Sequence, residues 1–334
     1  MSDPAPMGDP GPAESGSGEG HDQGPSVVVV GAASRDLADD DARGWRLGGG
    51  VSYSALTTAR LGLRTAALIG VDAAAAGASE LDLLREAGVD VHLVPLAHGP
   101  VFANIERPEG RLQQCGDRSD PIPVDALPDR WRSAPGWILA PVAAELPAGW
   151  VDVPSAEAFV AVGWQGLLRE LEAGQPVRHV APGADPIVHR ADLVGLSRDD
   201  VERGVALADL YALLRRGASL AVTQGDRGGL IVHGAHGDTA AALELRHYPA
   251  VPSLAAVDPT GAGDVFLAAL AAARIEPRLV GGRIGQGFDL LLAAAAASLV
   301  LEGPGMLGVP SRDAVRRRMG DVLQRRSAAT GGQP

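Results

Sequence analysis

Short all-apolar runs alternate with amphipathic stretches through most of the chain. The first run, 27–30, is four valines ending at Gly31. It predicts a strand buried on both faces, because a half-exposed strand would alternate apolar and polar positions. Mostly apolar runs at 65–69, 137–140, 158–162, 191–195 and 220–223 predict further strands, and 89–94 predicts another. Helical periodicity occupies 51–61, closed by Gly62, and about 77–87. Segments 100–106 and 111–115 are less apolar and flank Pro108-Glu109-Gly110. They predict a hairpin that covers a site. Segments 230–233 and 243–248 predict antiparallel strands, and helices follow at about 262–274, 283–301 and 311–326. This order predicts an α/β fold: a doubly wound, mostly parallel sheet with helices on both faces, plus a small β lid. Lid strands fall roughly at 32–47 and 98–120, inside one domain spanning 26–328.

Residues 1–25 are Gly, Pro, Ser, Asp and Glu with almost nothing apolar, which predicts a disordered tail. The whole chain has 334 residues, is 46% hydrophobic and only 4% aromatic, so Ala, Val and Leu must supply most of a large core. A net charge of −12 argues against a nucleic-acid or anionic-membrane partner. The arginines 316–318, 325 and 326 read as the solvated face of a last helix.

All 29 basic residues are arginine. Without lysine there is no Walker A phosphate loop, no pyridoxal Schiff base and no protein-kinase strand lysine. Any handling of ATP must rely on backbone amides, arginine and metal. Cys115 is the single cysteine, which excludes a disulfide framework and makes a reducing cytoplasm the expected setting. No uninterrupted apolar run reaches membrane-spanning length, and the N-terminus lacks a signal core.

The sharpest chemistry lies in Asp258-Pro259-Thr260-Gly261-Ala262-Gly263-Asp264-Val265-Phe266. The string leaves a strand region, turns through small residues and enters a helix. Amides of Ala262, Gly263 and Asp264 at the helix start predict an anion site backed by the helix dipole. The dipole favours the ionised form of Asp264, a weak base. A weak base suffices for phosphoryl transfer, whose loose transition state makes little early demand on acceptor deprotonation.

The nine-residue string closely resembles the C-terminal signature of the PfkB/ribokinase carbohydrate kinases. That resemblance extends over about 26–320. It implies a kinase with Asp264 as base and Gly261, Ala262 and Gly263 as the anion hole. It also implies ATP and Mg²⁺ as cofactors and a small-molecule hydroxyl acceptor. Asp258 and Thr260 would border a monovalent-cation loop suited to K⁺. Gly48 and Gly49, with Ala55 and the string 59–62, resemble the N-terminal glycine motif and its helix. Asp36 stands where the family places a carboxylate on sugar hydroxyls. Thr223, Gly225 and Gly228 resemble the nucleotide loop, and 299–310 the segment closing the cation and adenine region. Lids in this family pair in many members, so a homodimer through the lid is an expectation by analogy.

Departures from the family pattern sharpen the picture. Tyr53 replaces the Asn five residues after the first motif glycine, which alters the acceptor pocket. The family's Asn-x-x-Glu stretch becomes Ser197-Arg198-Asp199-Asp200, leaving Asp200 to orient metal-bound water. The strings at 48–53, 115–122, 163–169 and 258–260 resemble the myo-inositol kinase-like subgroup, which makes a cyclitol the leading acceptor. Glu145 is a candidate substrate contact, balanced by an ordinary helix-start carboxylate. Arg169 is a candidate phosphate contact, against the commoner reading of an exposed helix charge. His233 and His236 in a Gly-rich turn read as solvated rather than metal-bound. A nucleoside kinase with Tyr53 as stacking surface stays open, as does a sugar-binding regulator without turnover. A dinucleotide dehydrogenase fits poorly, because Gly31 is not followed by GxGxxG.

Overall fold

The computed structural model describes residues 24–107, 110–234 and 243–330. Three sequence expectations therefore lie outside the described residues: the tail up to residue 23, the turn residues Pro108 and Glu109, and His236.

The strands in chain order are β1 (Val27–Ala32), β2 (Arg35–Leu37), β3 (Trp45–Leu47), β4 (Thr65–Val71), β5 (Asp90–Pro95), β6 (Val101–Arg107), β7 (Gly110–Asp117) and β8 (Gly136–Leu139). They continue with β9 (Phe159–Gly163), β10 (Arg169–Glu170), β11 (Arg178–His179), β12 (Leu193–Ser197), β13 (Ser219–Thr223), β14 (Gly229–Gly234) and β15 (Leu243–Tyr248). The helices are α1 (Gly50–Leu61), α2 (Glu80–Glu86), α3 (Pro186–Arg190), α4 (Leu207–Ala212), α5 (Ala262–Ile275), α6 (Phe288–Val300) and α7 (Arg312–Thr330).

Among the described residues, nine strands form the main sheet in the order β15-β14-β13-β12-β9-β8-β1-β4-β5. The seven from β13 to β5 run parallel, and β14 and β15 close one side as antiparallel strands. The doubly wound fold expected from the sequence is therefore present, with a four-stranded second sheet in the order β3-β2-β6-β7. From β1 the chain winds outward through β4 and β5, then returns to β8 on the other side of β1. That reversal opens a crevice beyond the carboxyl ends of β1 and β8, where ligands bind in sheets of this kind.

Alternation along β1 explains both layers. Val27 and Val29 face a cluster built on α1, α2, α5, α6 and α7. Val28 and Val30 face the opposite cluster, which contains the buried Trp131, Trp137, Trp150 and Trp164. Four of the five tryptophans are thus on one face. Alanines fill the other, where the 268–273 stretch of α5 packs near 293–296 of α6.

Element limits shift for local reasons. Helix α2 begins at Glu80 because Ala75–Gly77 forms a separate 3₁₀ turn. Helix α6 begins at Phe288 because Gly285 and Gly287 take positive φ of 74° and 87°, conformations that glycine adopts without steric cost. His233 is not in a turn; it lies on β14 with its Nδ1 2.9 Å from Ser219 Oγ.

Candidate active site

Two helix N-termini meet at the crevice. Helix α1 starts after Gly49, at φ 89°, and α5 after Gly261, at φ 78°; neither carries a side-chain cap. Uncapped first-turn amides leave donors for a ligand, and both dipoles favour an anion there. At α5 the Ala262 amide donates to Pro259 O at 3.3 Å. The Ala262 amide is thus already engaged within its own turn.

The two helices touch at Gly50 and Asp264. A Cβ on Gly50 would fall 2.8 Å from Asp264 Oδ1, so any larger residue there would displace that carboxylate. The three-glycine run did not reveal which glycine faces Asp264; that contact needs the packing of α1 on α5. Gly48 and Gly49 act differently. A Cβ on Gly49 would meet Ala32 O at 2.6 Å, and one on Gly48 would strike the Asp36 carboxylate.

Asp264 has its carboxyl pushed up to about 7, first by burial. Arg169 opposes the shift, and the carboxylates of Asp200 and Asp36 add to it. The sequence expectation of a low pKa set by the dipole is thus reversed. Desolvation and two like charges outweigh one dipole end.

A cleft of about 250 Å³ lies under the small sheet. Asp36, Asp40, Arg46, Tyr53, Asn104, Asp258 and Thr260 supply its polar lining. Asp36 comes from β2, where Ser34 Oγ donates to its Oδ1 at 2.9 Å. Asn104 comes from β6 and accepts from Gln113 Nε2 at 3.0 Å. Arg46 and Asn104 were not singled out from sequence, because their strands are too short or too polar to show which face they present. Tyr53 contributes to the wall but is 2% exposed. Burial raises its hydroxyl well above the usual phenol value, and Asp36, Asp258 and Asp264 reinforce the shift.

The 258–260 turn is tied to the loop after α6. Asp258 Oδ1 accepts from Thr260 N at 2.9 Å and Oδ2 from Gly305 N at 3.0 Å. Asp200 is buried; its Oδ2 accepts from Ser197 N and its Oδ1 from Gln165 Nε2, both at 2.8 Å. Ser197 and Asp200 make a reciprocal capping box over the turn Arg198–Asp200. Thr223 ends β13, and Gly225 and Gly228 take φ of 58° and 82° in the following turn. A side chain on Gly228 would collide with the backbone of 248–250, whereas Gly225 faces open space.

Two sequence expectations fail here. Glu145 is 1% exposed and starts no helix. Its oxygens accept from Ala32 N at 2.8 Å, Val142 N at 3.0 Å and Ala143 N at 2.8 Å. The carboxylate closes the loop after β8 onto the end of β1 instead of reaching a substrate. Arg169 is not an exposed helix charge: it lies on β10, half-buried, with its guanidinium 5.7 Å from the centre of the Phe102 ring.

Residues 187–311 match the family described as pfkB family carbohydrate kinase. No curated protein matches the chain. Among solved structures, a pyrophosphate-dependent kinase in the ribokinase family, complexed with a pyrophosphate analog and myo-inositol, is similar at 18% identity and TM-score 0.67. That match covers 87% of this chain and 99% of the other. The Arabidopsis thaliana ribokinase, complexed with ribose and ATP, is similar at 18% identity and TM-score 0.60, covering 89% and 99%. A Methanocaldococcus jannaschii nucleoside kinase is similar at 14% identity and TM-score 0.60, covering 90% and 100%. At such identities the likeness is one of fold.

Proposed function

We propose that the chain, whose residues 187–311 match the pfkB family of carbohydrate kinases, is a kinase that transfers a terminal phosphoryl group to a hydroxyl of a sugar or cyclitol. The observation that carries this reading is Asp264, held between two uncapped helix starts with its carboxyl pushed up to about 7. A base poised near neutral pH, beside amides that can hold an anion, suits hydroxyl phosphorylation.

Asp264 would take the proton of the attacking hydroxyl. Amides of Gly263 and Asp264 and the guanidinium of Arg169 would hold the transferring group. Asp36 and Asn104 would bind acceptor hydroxyls from the lid side of the cleft, and the buried Tyr53 would set its depth. The turn at Thr223, Gly225 and Gly228 would meet the donor.

Magnesium fits the residues present. It is ordinarily held by donor phosphates, waters and one or two carboxylates. Asp200 is a carboxylate with acceptor capacity beyond its two hydrogen bonds, and when bound the ion would neutralise charge on the donor. Asp258 and Thr260 would border a potassium ion, their turn already fastened to the 305 loop. The expected cytoplasmic setting is retained as part of the proposal. Among the described residues no helix is long and apolar enough to cross a membrane.

ATP is the donor implied by the sequence resemblance. Pyrophosphate is a second reading, favoured by the similar pyrophosphate-dependent kinases, one of them complexed with a pyrophosphate analog and myo-inositol. One experiment addresses both. Purified protein with Mg²⁺ and K⁺ is offered ATP or pyrophosphate against polyols, sugars and nucleosides, and phosphorylated product is measured. Myo-inositol is the expected acceptor. Product formation that survives Asp264→Asn removes Asp264 as base. Ligand binding without product from any pair favours a non-catalytic sensor.

A further inference from the structure

The small sheet is not free along its outer edge. Residues 174–177 run beside β7: Cys115 N donates to Gln175 O at 2.9 Å, Gly174 N to Cys115 O at 2.8 Å, and Val177 N to Gln113 O at 2.9 Å. Gln114 Nε2 adds a bond to Gly174 O at 3.1 Å. This segment is the loop of the ribbon formed by β10 and β11, in which Arg169 pairs with His179. The ribbon is anchored at its other end as well. Val180 N donates to Leu168 O at 3.0 Å, and His179 Nδ1 lies 2.8 Å from Asp200 O.

The same ribbon carries Arg169, and the small sheet carries the ring beneath it. Phe102 on β6 is 1% exposed. It lies in register with Asp36 of β2 on one side and Cys115 of β7 on the other. The acceptor-side carboxylate, the aromatic shelf and the strapped edge therefore stand in adjacent strands of one sheet. Any displacement of that sheet carries the shelf, and the strap carries the guanidinium with it.

We propose that Phe102 is a positioning residue for phosphoryl transfer: its ring holds the Arg169 guanidinium toward the transferring group, and the 174–177 strap keeps ring and guanidinium in one body with Asp36. The inference rests on the kinase reading above. The cation is thereby held in a fixed relation to the acceptor-side carboxylate whether or not an acceptor is seated.

The test is a double-mutant cycle. Phe102→Leu, Arg169→Ala and the double variant are compared with the wild type in kcat, in acceptor KM, and in calorimetric affinity for pyrophosphate as the probe. Phe102→Leu lowers kcat by roughly threefold to thirtyfold, the range of a partly desolvated cation–π contact, with acceptor KM little changed. The double variant is no worse than Arg169→Ala, and Phe102→Tyr restores activity because the ring remains. Pyrophosphate affinity follows the same non-additive pattern. Should the Leu variant not fold, Phe102→Met fills the space without a π face. Losses that multiply in the double variant overturn the proposal, as does a Tyr variant as impaired as Leu. The calorimetric arm separates the two readings. A chain silent with every acceptor but non-additive in pyrophosphate binding keeps the shelf and loses the kinase. Full turnover in Phe102→Leu loses the shelf alone.

Discussion

The ring of Tyr53 occupies the space that a side chain on Gly261 would need. A Cβ at residue 261 would fall 2.6 Å from Tyr53 Cγ and nearer still to Cδ1 and Cε1. The residue that departs from the family's N-terminal motif thus packs against the turn of its C-terminal one. The turn at Gly261 is supported from below by an aromatic wall rather than by an amide side chain.

Gly261 and Gly263 should consequently respond differently to the same substitution. Gly261→Ala meets both the ring and a φ of 78°, so it should cost about 1–3 kcal/mol of stability and abolish transfer. Gly263→Ala finds open space around its Cβ and should melt close to the wild type. Any fall in its kcat then reports the close approach of the donor, separate from folding. Thermal unfolding and turnover of the two variants provide the check.

The pH dependence should bear the signature of Asp264. With its carboxyl near 7, kcat/KM should fall about tenfold per pH unit below that point, as the base becomes protonated. Stability should move the opposite way. The folded carboxyl binds its proton more tightly than an unfolded one with the ordinary value of 3.8. The native state therefore holds the extra proton between those two values, and stability declines as pH rises through the window. Asp264→Asn, which has no charge to bury, should melt above the wild type at pH 8, with the gap closing toward pH 4. Equal melting temperatures at both ends would show an ordinary carboxylate.

What could be read from the sequence was local in character. The valine run at 27–30 needed only its own pattern to become β1, and the 258–264 string placed a carboxylate at a helix start without any partner being known. Relationships across the chain were hidden. Glu145 looks like a helix-start carboxylate until the amide of Ala32, 113 residues away, is found on it. The setting of Arg169 emerges only when Phe102, from the small sheet, is found beneath it. The sign of the Asp264 shift was missed for the same reason: the dipole is a property of the helix, whereas burial and the nearby Asp36 and Asp200 are properties of the assembled fold.

Glu145 should behave as a structural acceptor. Removing the carboxylate in Glu145→Ala would strand the buried amides of Ala32, Val142 and Ala143, each at a cost of about 1–3 kcal/mol. The variant should be largely unfolded at ambient temperature. Glu145→Gln retains one acceptor oxygen and turns an NH₂ group toward donors, so it should fold with reduced stability. In its folded fraction, acceptor KM should match the wild type. A KM raised tenfold or more in a Gln variant of normal melting temperature would return Glu145 to the substrate.

Arg274 and Asp289 should separate stability from activity most cleanly. They tie the end of α5 to the start of α6 through an ion pair at 3.0 Å, with Asp289 1% exposed and Arg274 24%. Deleting one partner of a buried pair costs roughly 3 kcal/mol or more, because the other charge is left uncompensated. Arg274 retains some contact with water, so Asp289→Ala should sit at the low end of that range. Replacing both residues, as in Arg274→Met with Asp289→Leu, should recover much of the loss, since apolar groups of similar volume carry no desolvation cost. Turnover should hold in both variants. Residue 274 lies roughly 15 Å along α5 from Asp264, at the helical rise of about 1.5 Å per residue, at the end opposite the anion hole. Melting temperature and kcat measured on the same preparations give the test. A parallel fall in kcat would mean that α5 transmits strain along its length to the base.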